Sequence, residues 1–329
     1  MRSFRLSPAA YRRVTWFALV ALVFIIVTGG AVRLTGSGLG CSDWPTCEQD
    51  QLVAPLEFHP MVEFVNRTIT GLVSVAVVLA VLGSLARVPR RRDLTWLSVG
   101  LVAGVVGQIV LGGITVLFDL WPPLVMGHFV LSMVLVANAV VLHHRAGQPG
   151  PAEDGAVAEG PAEDGAVAER AAPGAVVAPQ VRALSRWMLV AAALAVLTGT
   201  VVTGAGPHGG DEDVDRLPFV VADVARIHGV AVVVFGACVL GLLALLTRTR
   251  VPAELHRQGR ILLTVAVAQS AVGYTQYFTG VPVVLVGVHI FGAVVVWSAA
   301  LRFHLHLASP PPDPAPSARD ASRPVPAVA

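Results

Sequence analysis

Eight apolar runs, each close to membrane length, divide the chain: 14–32, 62–86, 94–117, 124–144, 184–204, 222–247, 260–279 and 283–306. A helix needs about 20 apolar residues to cross roughly 30 Å of hydrocarbon. Each run therefore predicts one transmembrane helix, and an even number of spans puts both termini on one side. The first run is too long for a signal-peptide core and continues into Arg33 without a small-residue cleavage site, so it reads as a helix that stays in the protein. On the side opposite the termini, residues 33–60 form a long polar loop and 205–221 an acidic one (Asp211, Glu212, Asp213, Asp215). The other two connections there are short turns near 118–123 and 280–282.

The runs repeat. Gln108, Gly112 and His128 return as Gln269, Gly273 and His289 at a constant offset of 161, and Asn66 lies opposite His228 at an offset of 162. The fold class this predicts is an all-α integral membrane protein of eight transmembrane helices, arranged as two pseudo-symmetric four-helix bundles. The N-terminal half is 1–145 and the C-terminal half 181–308. The joint, 146–180, holds the tandem copies PAEDGAVAEG and PAEDGAVAER. Its Ala, Pro, Gly and acidic residues cannot bury an apolar face, so it is predicted to be a disordered cytoplasmic linker. The Pro/Ala/Ser-rich tail, 309–329, is predicted to be disordered for the same reason.

Composition agrees with the runs. Hydrophobic residues make up 55% of the chain, charged residues only 13%, and the mean hydropathy is +0.71; soluble domains carry about 25% charge. All 23 basic residues are arginine, and the net charge of +2 gives no reason to invoke nucleic acid. Nineteen arginines fall on the side of the termini, and four (Arg33, Arg67, Arg216, Arg226) on the other. The positive-inside rule therefore puts both termini in the cytoplasm. The loop carrying Cys41 and Cys47 then faces the oxidising side. A disulfide there would stabilise by roughly 2 kcal/mol, and the pair reads either as a structural staple or as redox-active thiols. Cys238 sits alone in an apolar run.

Asn66, His128, His228 and His289 all lie a few residues inside the outer ends of even-numbered spans, hence at similar depth. Polar and ionisable groups at that depth are functional candidates, although a histidine can also simply hydrogen-bond between helices. Imidazoles facing each other across a bundle are a common way to hold haem iron. Glu63 and Arg67 share a helix face at i, i+4. They read either as a structural ion pair or as a working pair, with Arg67 on an anionic group and Glu63 beside a reacting carbon. The second half has Ala225 where Glu63 would stand. Two halves that differ in a single carboxylate suggest that one does chemistry and the other serves it. His59 reads as a surface residue or a substitute ligand, His208 as solvated, and His143, His144, His256, His304 and His306 as side chains snorkelling to the cytoplasmic interface.

With those residues in view, the chain resembles the haem A synthase family of bacteria and mitochondria. The likeness is carried by GSGLGCSDWPTC at 36–47, Glu63-x-x-Asn66-Arg67, Gln108 and Gly112 with His128, then His228 and His289. It implies an oxidoreductase of the bacterial plasma membrane that works in cytochrome oxidase assembly. Its substrate is haem O, whose C8 methyl becomes a formyl group by successive hydroxylations. It implies a haem b cofactor with iron held by His228 and His289, a substrate site with Glu63 as catalytic residue and His128 as an iron ligand, Asn66 and Arg67 beside it, and a Cys41–Cys47 disulfide. Partners in keeping with the family are membrane lipid, a haem O synthase, a quinone or thiol as electron partner, and a second copy of the chain. The sequence departs from the family in one place: Asn66 stands where histidine is usual, which implies one axial histidine in the substrate site or a substitute such as His59 or Met61. The alternative function is a membrane b-type cytochrome that relays electrons without modifying haem. A transporter, also built from repeats, fits less well because no span is broken at midplane by proline.

Overall fold

The computed structural model of the protein describes residues 5–41, 43–47, 53–148, 178–249 and 251–308. Among these every regular element is helical: α1 (Pro8–Leu34), α2 (Phe58–Ala86), α3 (Arg92–Leu117), α4 (Pro122–Ala146), α5 (Pro179–Ala205), α6 (Val221–Thr247), α7 (Ala253–Phe278) and α8 (Val283–Ala308). The predicted tail and all but the ends of the predicted linker lie outside the described residues.

Each helix outruns its apolar stretch by a few residues, because helical hydrogen bonding continues into the polar rim. The ends follow local chemistry. Ser7 caps α1, accepting a bond from the Ala10 amide with Pro8 in the first turn. Gly36, at a φ of +67°, turns the chain out of α1. Seven of the helices are long and apolar enough to cross a membrane. The exception is α7, which begins ahead of its predicted run. Its first turns carry Glu254, Arg257 and Gln258, bonded among themselves, and polar side chains recur at Gln269, Ser270, Thr275 and Gln276.

The packing has a plain order. In the first half α1 packs on α2, α2 on α3, α3 on α4 and α4 back on α1; in the second, α5 on α6, α6 on α7, α7 on α8 and α8 back on α5. The diagonal pairs, α2 with α4 and α6 with α8, make no close backbone contact. Between halves, α8 meets α1 and α4, and α4 meets α5. One buried cluster fills the first half and takes in Val294 and Leu301 of α8; a second, with Met188, Phe235, Leu242 and Phe303, fills the other. The Trp297 indole donates to the Met133 carbonyl at 2.9 Å, tying α8 to α4. Large apolar side chains such as Trp16, Phe24, Leu79 and Val234 cover the outside, as a lipid solvent requires.

The arginine-poor rim is knitted between halves. The Gly38 amide donates to the Gly210 carbonyl at 2.8 Å, and Arg33 donates to the carbonyls of His208 (2.6 Å) and Thr203 (2.9 Å). His208, expected to be solvated, is half-buried and bonds the Val281 carbonyl at 2.8 Å. The unpaired carbonyl at the positive-φ turn of Val281 gives the imidazole a reason to be there. The histidines at the opposite rim also differ from expectation. His143 bonds the Thr15 hydroxyl (3.0 Å), His304 the Ser185 hydroxyl (2.9 Å), and His144 and His306 meet edge to face with ring centroids 5.0 Å apart. They join helices rather than simply reaching for water.

Candidate functional site

In the second half, His228 of α6 and His289 of α8 face each other across the open diagonal, with ring centroids 6.4 Å apart and planes inclined at 71°. The His228 Nδ1 lies 3.0 Å from the Ala195 carbonyl and 3.2 Å from the Thr198 hydroxyl, both on α5. A carbonyl only accepts, so Nδ1 carries the proton and Nε2 keeps a free lone pair. Gly199 lets the ring lie against α5, since a Cβ there would stand 3.2 Å from Cε1. His289 is seated the same way against α7. A Cβ on Gly273 would come within 2.9 Å of its Cε1, and Gln269 donates to the His289 main-chain carbonyl at 2.9 Å. The His289 Nδ1 is buried with no hydrogen-bond partner.

The pair fits a bis-imidazole metal. An imidazole nitrogen sits about 2 Å from a bound metal and the ring is about 2 Å across, so two rings on opposite faces of one ion have centroids roughly 6 Å apart. No group of three or more His, Cys, Asp or Glu suited to a metal ion occurs among the described residues. Two imidazoles alone suit a macrocycle that brings four ligands of its own. His228 and His289 therefore fit a haem.

The first half repeats half of this arrangement. Gln108 of α3 donates to the His128 carbonyl (3.0 Å) and to the Ser132 hydroxyl (2.7 Å), and a Cβ on Gly112 would stand 3.3 Å from His128 Cε1. Asn66 is on α2, the helix diagonal to α4. The His128 Nδ1 and Asn66 Oδ1 are both buried without partners. Orphaned buried polar atoms are costly, and Asn66, His128 and His289 are among the residues that carry one.

Beside Asn66 lies Glu63, the one buried carboxylate among the described residues. Its Oε2 accepts the Cys41 amide at 2.8 Å, and its Oε1 accepts Arg67 Nη2 at 2.6 Å and Nε at 3.1 Å. The remaining Arg67 donor, Nη1, points into the loop, bonding the carbonyls of Asp43 (3.0 Å), Thr46 (2.9 Å) and Pro45 (3.4 Å). Cys41 and Cys47 form a disulfide, both cysteines buried against Ala54 and Phe64. Trp44 from the same loop lies on Gly113 of α3, where a Cβ would approach its ring to 2.7 Å. The disulfide loop is thus a cap seated on the Glu63–Arg67 pair. The i, i+4 ion pair is formed, and its guanidinium also bonds the carbonyls of the loop above it. His59 is exposed and its Nδ1 lies 2.9 Å from the Ser37 hydroxyl.

Several contributors carry no chemical signature of their own: the Cys41 amide, the loop carbonyls around Arg67, and Ala195 behind His228. Gln108 and Gln269 did stand out by their repeat. Their task, holding the main chain of each histidine, emerges only from the fold.

Comparison with known proteins covers the first-half part of this site. A model of the COX15-CtaA family, described as cytochrome oxidase assembly protein, matches residues 12–59 and 54–208. The matched stretch holds Cys41, Cys47, Glu63, Asn66, Arg67 and His128, and ends before His228. Among curated proteins, the chain is 28% identical over 135 residues to a heme A synthase of Lysinibacillus sphaericus, covering 40% of this chain and 44% of the relative. It is 27% identical over 124 residues to a heme A synthase of Bacillus licheniformis, covering 37% and 41%. In each case the chain spans less than half the length of the relative.

Proposed function

The chain belongs to the cytochrome oxidase assembly protein family, and from that premise we propose that it acts as a haem A synthase, oxidising the C8 methyl of haem O to a formyl group by successive hydroxylations. The observation that carries the proposal is the asymmetry between the halves. Both set a histidine on a Gln-and-Gly cradle beneath the same rim, and only the first adds a buried carboxylate, Glu63. That carboxylate also seats the disulfide loop through the Cys41 amide and Arg67, but as a proton acceptor it serves chemistry that a relay of electrons alone does not need.

In this reading the two rings of packed helices are pseudo-symmetric bundles, 1–145 and 181–308, joined by 146–180. The N-terminal bundle takes haem O with His128 at its iron, and Asn66 faces the other side as a weak or absent ligand. The C-terminal bundle holds haem b between His228 and His289. Bound there, that haem supplies one-electron transfer. Glu63 is the group placed to take and return protons at the methyl. The Cys41 amide and Arg67 fix its two oxygens, so the carboxylate cannot swing away. The Cys41–Cys47 loop screens the site from bulk water above. Each hydroxylation takes its oxygen from one water molecule and releases two electrons and two protons, so it also needs an oxidant from outside the chain, such as a quinone. The arginine-rich rim faces the cytoplasm of a bacterial plasma membrane, and the active rim faces out.

The test is pigment extraction from cells that express the chain together with a haem O source. Haem A or its hydroxylated precursor is expected. Unchanged haem O, with haem b still copurifying, sinks the proposal in favour of the relay.

A further inference from the structure

At the arginine-rich rim, far from the candidate site, the first turns of α1 and the last turn of α4 frame an open surface cavity of about 570 Å³. Arg12, Arg13, Trp16, His143 and Gly147 line it. Its floor is fixed by the His143–Thr15 bond, at 3.0 Å, and by Trp16, whose ring lies 5.5 Å from that of His143. Its side is open because residue 147 is a glycine. A Cβ there would come within 3.0 Å of the Arg12 guanidinium. Neither Arg12 nor Arg13 is in an ion pair or bonded through its guanidinium among the described residues. The arginines in the next turn of chain are different: Arg91 is bound to Asp93 and to the carbonyls of Arg145 and Gln148.

Below the cavity the same face of α1 is greasy. Arg12, Trp16, Val20 and Phe24 follow at four-residue spacing, and the last three are 52%, 44% and 51% exposed. Residues so spaced share one helix face. Two free guanidiniums line the cavity beside the Trp16 indole, and an apolar strip about three turns long runs from it down toward the membrane centre. We propose that this cavity binds the phosphate headgroup of an anionic phospholipid, with Arg12 and Arg13 on the phosphate and the acyl chains along Trp16, Val20 and Phe24. Guanidinium is the side chain best matched to phosphate oxygens, and basic pockets at this level of a helix bundle suit anionic lipid headgroups. A soluble phosphate compound offers the same headgroup chemistry but leaves the apolar strip unused.

Native mass spectrometry of the full chain in detergent tests this, with phosphatidylglycerol and phosphatidylcholine as probes. The wild type is expected to retain phosphatidylglycerol with at least a tenfold preference. The double variant Arg12→Gln/Arg13→Gln should lose roughly tenfold or more of that affinity. Gly147→Trp, which fills the cavity without changing charge, should lose it too and serves if the double variant does not fold. The pair Arg90→Gln/Arg92→Gln, on the exposed neighbouring turn, should bind as the wild type does. Equal loss in that control pair means a diffuse basic rim and overturns the site. Displacement of the lipid by millimolar inorganic phosphate overturns the lipid assignment in favour of a soluble ligand. Absence of any headgroup preference overturns both.

Discussion

The Cys41 amide donates to Glu63 Oε2 across 22 positions of sequence, at 2.8 Å. A backbone group of the disulfide loop thereby holds the carboxylate on which the proposed chemistry rests. Arg67 closes the arrangement from the other side, spanning Glu63 and three carbonyls of that loop. The loop and the helix face are therefore one unit, and disturbing either should be felt at the other.

Glu63→Gln keeps the shape and an acceptor for Cys41 while removing the negative charge and the proton-accepting group. Turnover of haem O is expected to fall by about a hundredfold or more, with the visible spectrum of the second-half haem unchanged. Retained activity in a correctly folded Glu63→Gln protein would remove the carboxylate from the mechanism.

Opening the disulfide tests the loop as a cap. The Cys41→Ser/Cys47→Ser variant should lose about 2 kcal/mol of stability, read as a lower unfolding temperature in detergent. Activity should fall as well, because Arg67 and Glu63 lose fixed partners. An unchanged unfolding temperature and rate would mean that the loop holds its place without the bond.

Much of this was legible in the sequence, and the reasons are physical. A span must be apolar over its whole length, so all eight runs stand out in the sequence, and seven of the helices are long and apolar enough to cross a membrane. The eighth, α7, falls short because polar side chains recur along it, from Glu254, Arg257 and Gln258 to Gln269, Ser270, Thr275 and Gln276. The histidines were legible because each half must solve the same seating problem, a large ring against a helix, and each solves it with glycine at the same distance. The grip on Glu63 was not, because a main-chain amide has no residue type to betray it. His208 misled for a related reason: a polar loop looks solvated until a carbonyl from another connection, Val281, meets it.

The two glycine cradles differ in tightness, which gives a graded expectation. A methyl on Gly273 would meet His289 Cε1 at 2.9 Å, and one on Gly112 would meet His128 Cε1 at 3.3 Å. Contacts as close as the first force the ring to move in a packed interior. Gly273→Ala should therefore shift or weaken the haem b spectrum, while Gly112→Ala should leave it intact and raise the KM for haem O severalfold. The reverse pattern would mean that the halves have been assigned the wrong way round.

Asn66→His restores an imidazole at the position where the first half departs from the His228–His289 pattern. The variant loaded with haem O should show a bis-histidine low-spin spectrum that the wild type lacks, and single-turnover experiments should show slower product release. A wild type already bis-histidine at the substrate iron would point to another ligand on that face.

The two-site claim is tested most directly by the haem content of purified His228→Ala/His289→Ala protein, set beside that of His128→Ala. The first variant should purify without haem b, carry out no turnover, and still bind added haem O. His128→Ala should keep a full complement of haem b and lose affinity for haem O. A His228→Ala/His289→Ala protein that retains its haem b would contradict the account.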